Sequence, residues 1–479
     1  MRYQPVSRAF KTRMLPDHSC LAISAAGDHA FLSPFELRSL HDSPGLLPLE
    51  RQAELRALHF LTTTSSHVGS ERLIKSRIAA RKETILGGPS LHIIVPTLQC
   101  AHSCKYCQVS RSLEDVGHTM SLDDLERSCQ TIFESPSKTL TVEFQGGDPL
   151  LRFDLVKHAI LRIEALNESE GRNLRFVIAS TLHQLTEEMC IFFRERAVYL
   201  STSIDGPAIL HNRNRPTPTR NSYERTLAGV ELARTLIGEN SVSALLTATK
   251  ESLNCPEDIV DEYVRLGFRD IFLRPLSSYG FAKRNQAIQG YSPEAFAAFY
   301  RRGLERILHW NRNGTVLREV YASIILNKIL STFDGGYVDL QSPTGAGQSV
   351  LVYNYDGYVY PSDEARMLAE TGDISLRLGK IGQSIHEFQS SSVQQTLIAA
   401  SLVDSVADCR ECAYNLFCAP NPVDAQAQFG DQFTPAHQTE HCIRHMQLFD
   451  DMYIRVRNAD PWTLDLFHEW AAPVPSRST

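Results

Sequence analysis

Seven of the chain's eleven cysteines fall into two groups whose spacing suits metal chemistry. The first group is Cys100, Cys104 and Cys107, a Cys-x3-Cys-x2-Cys loop within TLQCAHSCKYCQVS that directly follows the apolar run Leu91 to Thr97. Three thiolates in one short loop can hold three irons of a [4Fe–4S] cube and leave the fourth open to bind and reduce a small molecule. A zinc knuckle is the alternative, but structural zinc closes its site with four ligands. His102 could supply the fourth only by crowding the same loop. The second group is Cys409-x2-Cys412-x5-Cys418, followed by Cys442. Four thiolates permit a fully coordinated [4Fe–4S] cluster or a zinc site. Cys20, Cys129, Cys190 and Cys255 are scattered, and Cys129 and Cys190 lie in apolar helical patterns expected to be core. This cysteine usage fits a reducing cytoplasm.

The elements that must position these residues alternate in type. Between 91 and about 312, strand-like runs at 91–97, 139–144, 174–180, 198–204, 241–248 and 269–275 are separated by helical patterns. Those helices are expected at 121–135, 152–166, 185–195, 222–237 and 256–265, the first opening on Ser121-x-x-Asp124. Such α/β alternation predicts a parallel sheet with outer helices. Chemistry then belongs at the C-terminal ends of the strands, where the first cysteine loop lies. The second strand ends in Glu143-Phe-Gln-Gly-Gly-Asp-Pro149, where Gly146 and Gly147 allow a close backbone approach and Asp148 can take an ammonium group. The fourth leads into Ser203-Ile-Asp-Gly-Pro207, then His211, Arg213 and Arg215. An arginine fork suits a carboxylate, and a solvated loop is the alternative for both Arg213 and Arg215. The sixth strand ends at Phe272-Leu-Arg-Pro-Leu276, and SVLVYNYDGYVYP at 349–361 reads as a hairpin about Asp356-Gly357.

Residues 1–65 read as a separate module. Leu21–Ser24 and His29–Leu32 form a hairpin pattern, Ser33-Pro34 opens a helix, and a second helix carries Leu49, Leu55, Leu58 and Leu61. The segment 66–90 is a basic linker bearing Arg72, Lys75, Arg77, Arg81 and Lys82, expected to present a solvated face. Residues 461–479 form a tail. At 479 residues, two or three domains are expected, and 43% apolar with 22% charged residues is the balance of an ordinary soluble globular protein. A net charge of −7 argues against nucleic acid or anionic membrane as a partner. No apolar run has the length of a membrane span, and the N-terminus lacks the apolar core of a secretory signal.

Taken in order, these motifs resemble the radical S-adenosylmethionine (SAM) enzymes with a SPASM extension that modify peptides, over residues 90 to 450. The cysteine loop with Tyr106 before its third cysteine matches the family signature. Gly146-Gly147-Asp148-Pro149 stands for the family's Gly-Gly-Glu-Pro, which takes the SAM amino group. Ser203 and Arg215 match the family's SAM-contacting serine and arginine, and Leu276 the apolar backbone laid against adenine. At the third strand's end, Ala179-Ser180-Thr181-Leu182 departs from the family's Thr-Asn-Gly-Thr-Leu. The resemblance implies a partial (β/α)6 barrel over 91–335 and a SPASM-like domain over 336–460. Cys409, Cys412, Cys418 and Cys442 match the ligands of the family's outer auxiliary cluster. Ser362, Pro422 and the Gly345-Ala346-Gly347 stretch stand where its inner-cluster cysteines would be, which implies one auxiliary cluster. The N-terminal module resembles the winged-helix elements that hold leader peptides, or is a cap over the barrel edge. Within the family the closest likeness is to the radical SAM maturase B of His-Xaa-Ser peptide systems. By implication the cofactors are SAM and two [4Fe–4S] clusters, and the partners are a precursor peptide and a reductant such as flavodoxin or ferredoxin. The implied chemistry is hydrogen abstraction from the peptide by a 5′-deoxyadenosyl radical, giving an oxidation such as a crosslink. Oxidation of a sulfatase serine or cysteine to formylglycine is the rival reaction, and a zinc-dependent peptide-binding scaffold the rival from outside enzymes.

Overall fold

The hairpin expected near the N-terminus forms inside a larger unit. In the computed structural model, which describes residues 5–63, 67–109, 111–113, 116–277, 279 and 290–472, β1 (Pro5–Ser7) pairs with β5 (Leu61–Thr63). Strands β2 (Phe10–Met14), β3 (Cys20–Ser24) and β4 (His29–Leu32) form an antiparallel sheet, with Gly27 turning the hairpin at φ +88°. The sequence reading missed β2 because Phe10-Lys-Thr-Arg-Met14 carries charge where a half-buried strand would carry apolar residues. Helix α1 (Pro34–Asp42) starts on a full capping box, Ser33 with Glu36, and α2 (Leu49–Ala57) closes the small core under Phe60. The expected module boundary at 65, the first four residues and residues 473–479 of the tail lie outside the described residues.

The basic stretch is not a solvated linker throughout. It forms α3 (His67–Leu86), whose Arg77 pairs with Asp28 at 2.7 Å. Arg81 is 9% exposed, donates to the carbonyls of Lys328 and Ser331 at 3.0 and 2.8 Å, and stacks over Phe417. A charge run hides a docking face when the arginine stems and planes themselves make the contact.

The six expected parallel strands are present. They are β6 (Leu91–Thr97), β7 (Thr139–Gly146), β8 (Asn173–Ala179), β9 (Tyr199–Ser203), β10 (Val242–Thr247) and the broken sixth, β11 (Asp270–Ile271) with β12 (Leu273–Arg274). The connecting helices are α4 (Leu122–Ile132), α5 (Phe153–Glu170), α6 (Glu187–Glu195), α7 (Ala208–Asn214), α8 (Ser222–Leu236) and α9 (Pro256–Arg265). Alternation along β7 sends Leu140, Val142 and Phe144 into the core against these helices, with Cys129 and Cys190 fully buried there as expected. The opposite side chains, among them Gln145, Ser201, Ser203 and Thr247, face the sheet's inner side and are polar.

The sheet does not stop at the expected boundary of 335. Beyond β13 (Arg318–Glu319), β14 (Val350–Tyr353) runs parallel to β6 in register Val350 with Leu91, and β15 (Tyr358–Tyr360) and β16 (Gly379–Lys380) follow antiparallel. The nine-stranded order is β12-β10-β9-β8-β7-β6-β14-β15-β16. The predicted hairpin about Gly357 is thus the continuation of the barrel sheet. The tail docks as well: helix Pro461–Ala471 buries Phe467 and Trp470 and offers the Ala471 carbonyl to Asn327 at 2.9 Å.

Candidate functional site

The first cysteine loop is held by its backbone. Cys100 donates to the Ser112 carbonyl at 3.0 Å, Ser103 to Pro216 at 2.9 Å and Lys105 to Asn214 at 3.0 Å. Cys100 is 7% exposed, while Cys104 and Cys107 are half-buried. All three open on a cleft of about 920 Å³ at the C-terminal ends of the strands. Asp363 and Met367, from the helix Asp363–Ala369 beyond the barrel, line its far side.

Gly146 and Gly147 line this cleft, yet the demand for glycine comes from behind it. A Cβ at Gly146, which sits at φ +134°, would lie 2.2 Å from the Thr97 carbonyl oxygen. One at Gly147 would lie 2.2 Å from the oxygens of both Leu98 and Gln99. The end of β7 is pressed onto the root of the cysteine loop, with Gly147 and Asp148 donating to Thr97 and Gln99 at 2.9 and 2.7 Å.

Asp148 is not among the residues that line the cleft. Its carboxylate is 1% exposed and accepts hydrogen bonds from the Ser180 hydroxyl at 2.7 Å, the Leu150 amide at 3.2 Å and the Thr181 hydroxyl. Ser180 and Thr181 line the cleft in its place. A shorter arm than glutamate reaches its neighbours and not the cavity. Sequence reasoning passed over these two hydroxyls because it noted only the asparagine absent from their segment.

Arg215, Tyr106 and Asp205 form a buried chain. The Arg215 guanidinium donates from Nη1 to the Tyr106 hydroxyl at 2.8 Å, and that hydroxyl donates to Asp205 at 2.8 Å. Burial pushes the Asp205 carboxyl up to about 6 against the pull of Arg215. Arg215 lines the cleft, and its Nε–H is buried with no hydrogen-bond acceptor among the described residues. Ser203 faces the same space from the end of β9. Arg213, by contrast, is exposed and paired with Glu251 at 2.8 Å, and it lies in the last turn of α7, not in the expected loop. Leu276, expected against adenine, is not among the residues that line the cleft; it packs on Tyr106 and Tyr291, and its amide donates to the Tyr291 hydroxyl at 2.7 Å.

His102 lines the cleft beside the three cysteines, with one ring nitrogen held by another histidine. Its Nε2 lies 3.0 Å from Nδ1 of His183, a residue the sequence reading did not single out. Burial, with Arg215 and His183 nearby, holds His102 far below its usual pKa and therefore neutral.

The second group gathers from a short helix, Ala407–Arg410, the turn after it, and the first turn of the helix Glu440–Asn458, where Thr439 caps the Cys442 amide. Cys409, Cys412 and Cys442 all bear electrostatically on the Cys418 thiol, which burial pushes well up. Cys412 accepts a hydrogen bond from the Tyr414 amide at 3.4 Å. Among the described residues no three His, Cys, Asp or Glu side chains are arranged to hold a single metal ion.

Residues 94–263 match the model of the Radical SAM superfamily. The chain therefore carries a radical SAM domain and is an enzyme; that domain implies SAM and a [4Fe–4S] cluster. An uncharacterized protein of Synechocystis is 34% identical over 184 residues, 37% of this chain but only 45% of the relative's length. A cysteine-type anaerobic sulfatase-maturating enzyme of Clostridium novyi is 21% identical over 327 residues, 67% of this chain and 83% of the relative. Among solved structures, native anSMEcpe with bound AdoMet and Kp18Cys peptide superposes with a TM-score of 0.66 at 16% identity, covering 80% of this chain and all of that one. Streptococcus suis SuiB bound to precursor peptide SuiA gives 0.51 at 12% identity over 87% of this chain and 95% of that one. At such identities the structural likeness is one of fold.

Proposed function

We propose that this chain is a radical SAM peptide maturase that takes hydrogen from a residue of a ribosomally made precursor peptide and leaves it oxidised, for example as a crosslink. The observation that carries the reading is the cleft itself: three cysteines of one loop and Arg215, whose buried Nε–H has no acceptor among the described residues, line a single cavity at the strand ends. The arrangement fits the groups the domain implies. Cys100, Cys104 and Cys107 would hold three corners of a [4Fe–4S] cluster, and the Arg215 Nε–H, lacking a protein acceptor, would take the SAM carboxylate. Ser180 and Thr181, their hydrogens committed to Asp148, keep oxygen lone pairs to accept from the SAM ammonium. Asp148 acts through them, while Tyr106 fixes the Arg215 fork. Gly146, Gly147 and Ser203 complete the wall, and Leu276 buttresses Tyr106. When bound, the cluster and SAM together supply a 5′-deoxyadenosyl radical by one-electron cleavage.

Cys409, Cys412, Cys418 and Cys442 would hold one auxiliary [4Fe–4S] cluster. Repacking supports the absence of an inner one. Ser362 is spent capping the helix Asp363–Ala369, and Pro422 opens the helix Pro422–Phe429. A Cβ at Gly345 would lie 2.1 Å from the Gln341 side-chain oxygen, and one at Gly347 would strike the Gln394 amide, so glutamine side chains occupy the space a thiolate would need. This counts against formylglycine formation, the reading that the Clostridium novyi relative favours, since such enzymes resemble the family members with both auxiliary clusters. The peptide class is supported by the two peptide-bound structures of similar fold, and the His-Xaa-Ser maturase B likeness remains the narrower proposal. Reduction would come from a flavodoxin or ferredoxin.

The test is Cys104→Ala in anaerobically reconstituted protein. Under dithionite, 5′-deoxyadenosine should form from SAM with the parent and not with the variant. The parent should hold about eight irons and the Cys100, Cys104 and Cys107 triple alanine variant about four. Product from Cys104→Ala would overturn the reading; zinc in the triple variant would revive the scaffold alternative for the C-terminal site.

A further inference from the structure

The N-terminal sheet reaches the second cysteine site through β2. Arg13 makes a two-pronged ion pair with Asp450, at 2.5 and 2.6 Å, and lies over the Tyr414 ring, whose hydroxyl donates to the same carboxylate at 2.6 Å. Two residues earlier on the same strand, the Lys11 ammonium donates to the carbonyl of Arg410, the residue that follows Cys409. Several other charges near the four thiols are paired. Asp450 is matched by Arg13, Asp408 by His437 at 2.8 Å when that ring is protonated, and Lys328 by Asp334 at 2.6 Å. Lys11 has no carboxylate partner among the described residues.

We propose that Lys11 is a positioning residue of the second site, a fixed positive charge lent by the N-terminal module that raises the reduction potential of the cluster held by Cys409, Cys412, Cys418 and Cys442. The inference rests on the cluster reading above. Reduction adds one negative charge to a four-thiolate cluster that is already anionic, so a neighbouring cation stabilises the reduced form more than the oxidised one. The hydrogen bond to the carbonyl beside Cys409 fixes that charge in place, as outer-shell contacts do at metal sites. The module is in this sense part of the metal site although it supplies no ligand.

The experiment uses the full-length chain with Cys100, Cys104 and Cys107 changed to Ala, so that only the second cluster contributes a signal. Its midpoint is read by potentiometric titration followed by electron paramagnetic resonance, with iron content measured alongside. Lys11→Gln should shift the midpoint to more negative potential with about four irons retained, and Lys11→Arg should restore it. An unmoved midpoint in Lys11→Gln, or an equal shift in Lys11→Arg, overturns the proposal while leaving the cluster reading intact. Loss of iron from Lys11→Gln overturns it too, since the side chain would then hold the cluster in place and not tune its potential. Zinc in place of iron in the triple variant itself would overturn the cluster reading, and this inference with it.

Discussion

At the scale of single residues, the chemistry was legible in type and not in direction. Cysteine spacing, Ser203 and Arg215 lead to residues that line one cleft, because each sits at or just beyond the end of a strand. Asp148 could not be aimed from sequence: one methylene decides whether a carboxylate reaches the cavity or the hydroxyls of Ser180 and Thr181. Two outcomes follow from that geometry. Arg215→Ala should weaken SAM binding about tenfold or more by calorimetry, since it removes a charge-assisted contact in a buried wall. The paired variant Ser180→Ala/Thr181→Ala should weaken it comparably and should also leave a buried carboxylate with only the Leu150 amide, so a fall in thermal midpoint is expected too. If SAM affinity in both variants equals the parent's, the cleft is not where SAM binds.

Among elements, the alternation of strand-like runs with helical patterns placed all six parallel strands, since each apolar run is followed by a helix. What escaped was pairing. Nothing in SVLVYNYDGYVYP states that Val350–Tyr353 lies beside Leu91–Thr97, which is a contact across more than half the chain. Equally hidden was the reason for the Gly146-Gly147 pair, whose neighbours are backbone oxygens of the preceding strand end. Gly147→Ala should therefore act on the cysteine loop before it acts on any ligand. The expected cost is about 3 kcal/mol of stability in urea titration, with reconstituted iron reduced at the first site. A variant of normal stability and full iron would show that the loop root can give way.

For the whole molecule, arginines join what the sequence divides. Arg13 with Asp450, Arg77 with Asp28 and Arg81 over Phe417 bind the N-terminal module, α3 and the C-terminal cysteine region into one body. Asp450→Ala should cost about 2 kcal/mol, less than a fully buried pair because Arg13 is 29% exposed. Chemical denaturation would measure it, and a cost near zero would mean that the contact is incidental. Removing residues 1–65 should lower turnover of full-length precursor more than uncoupled SAM cleavage if the module holds a leader. A purely structural cap predicts that both fall together. The continuous sheet has a last, practical implication for anyone dissecting this chain. A fragment cut after the apparent barrel boundary at 335 would strip β14 from β6, leaving an open, apolar edge on the very strand that presents the first cysteine loop. Such a fragment should aggregate, so domain exchange between relatives will succeed only where the splice falls outside the stretch from β6 to β16.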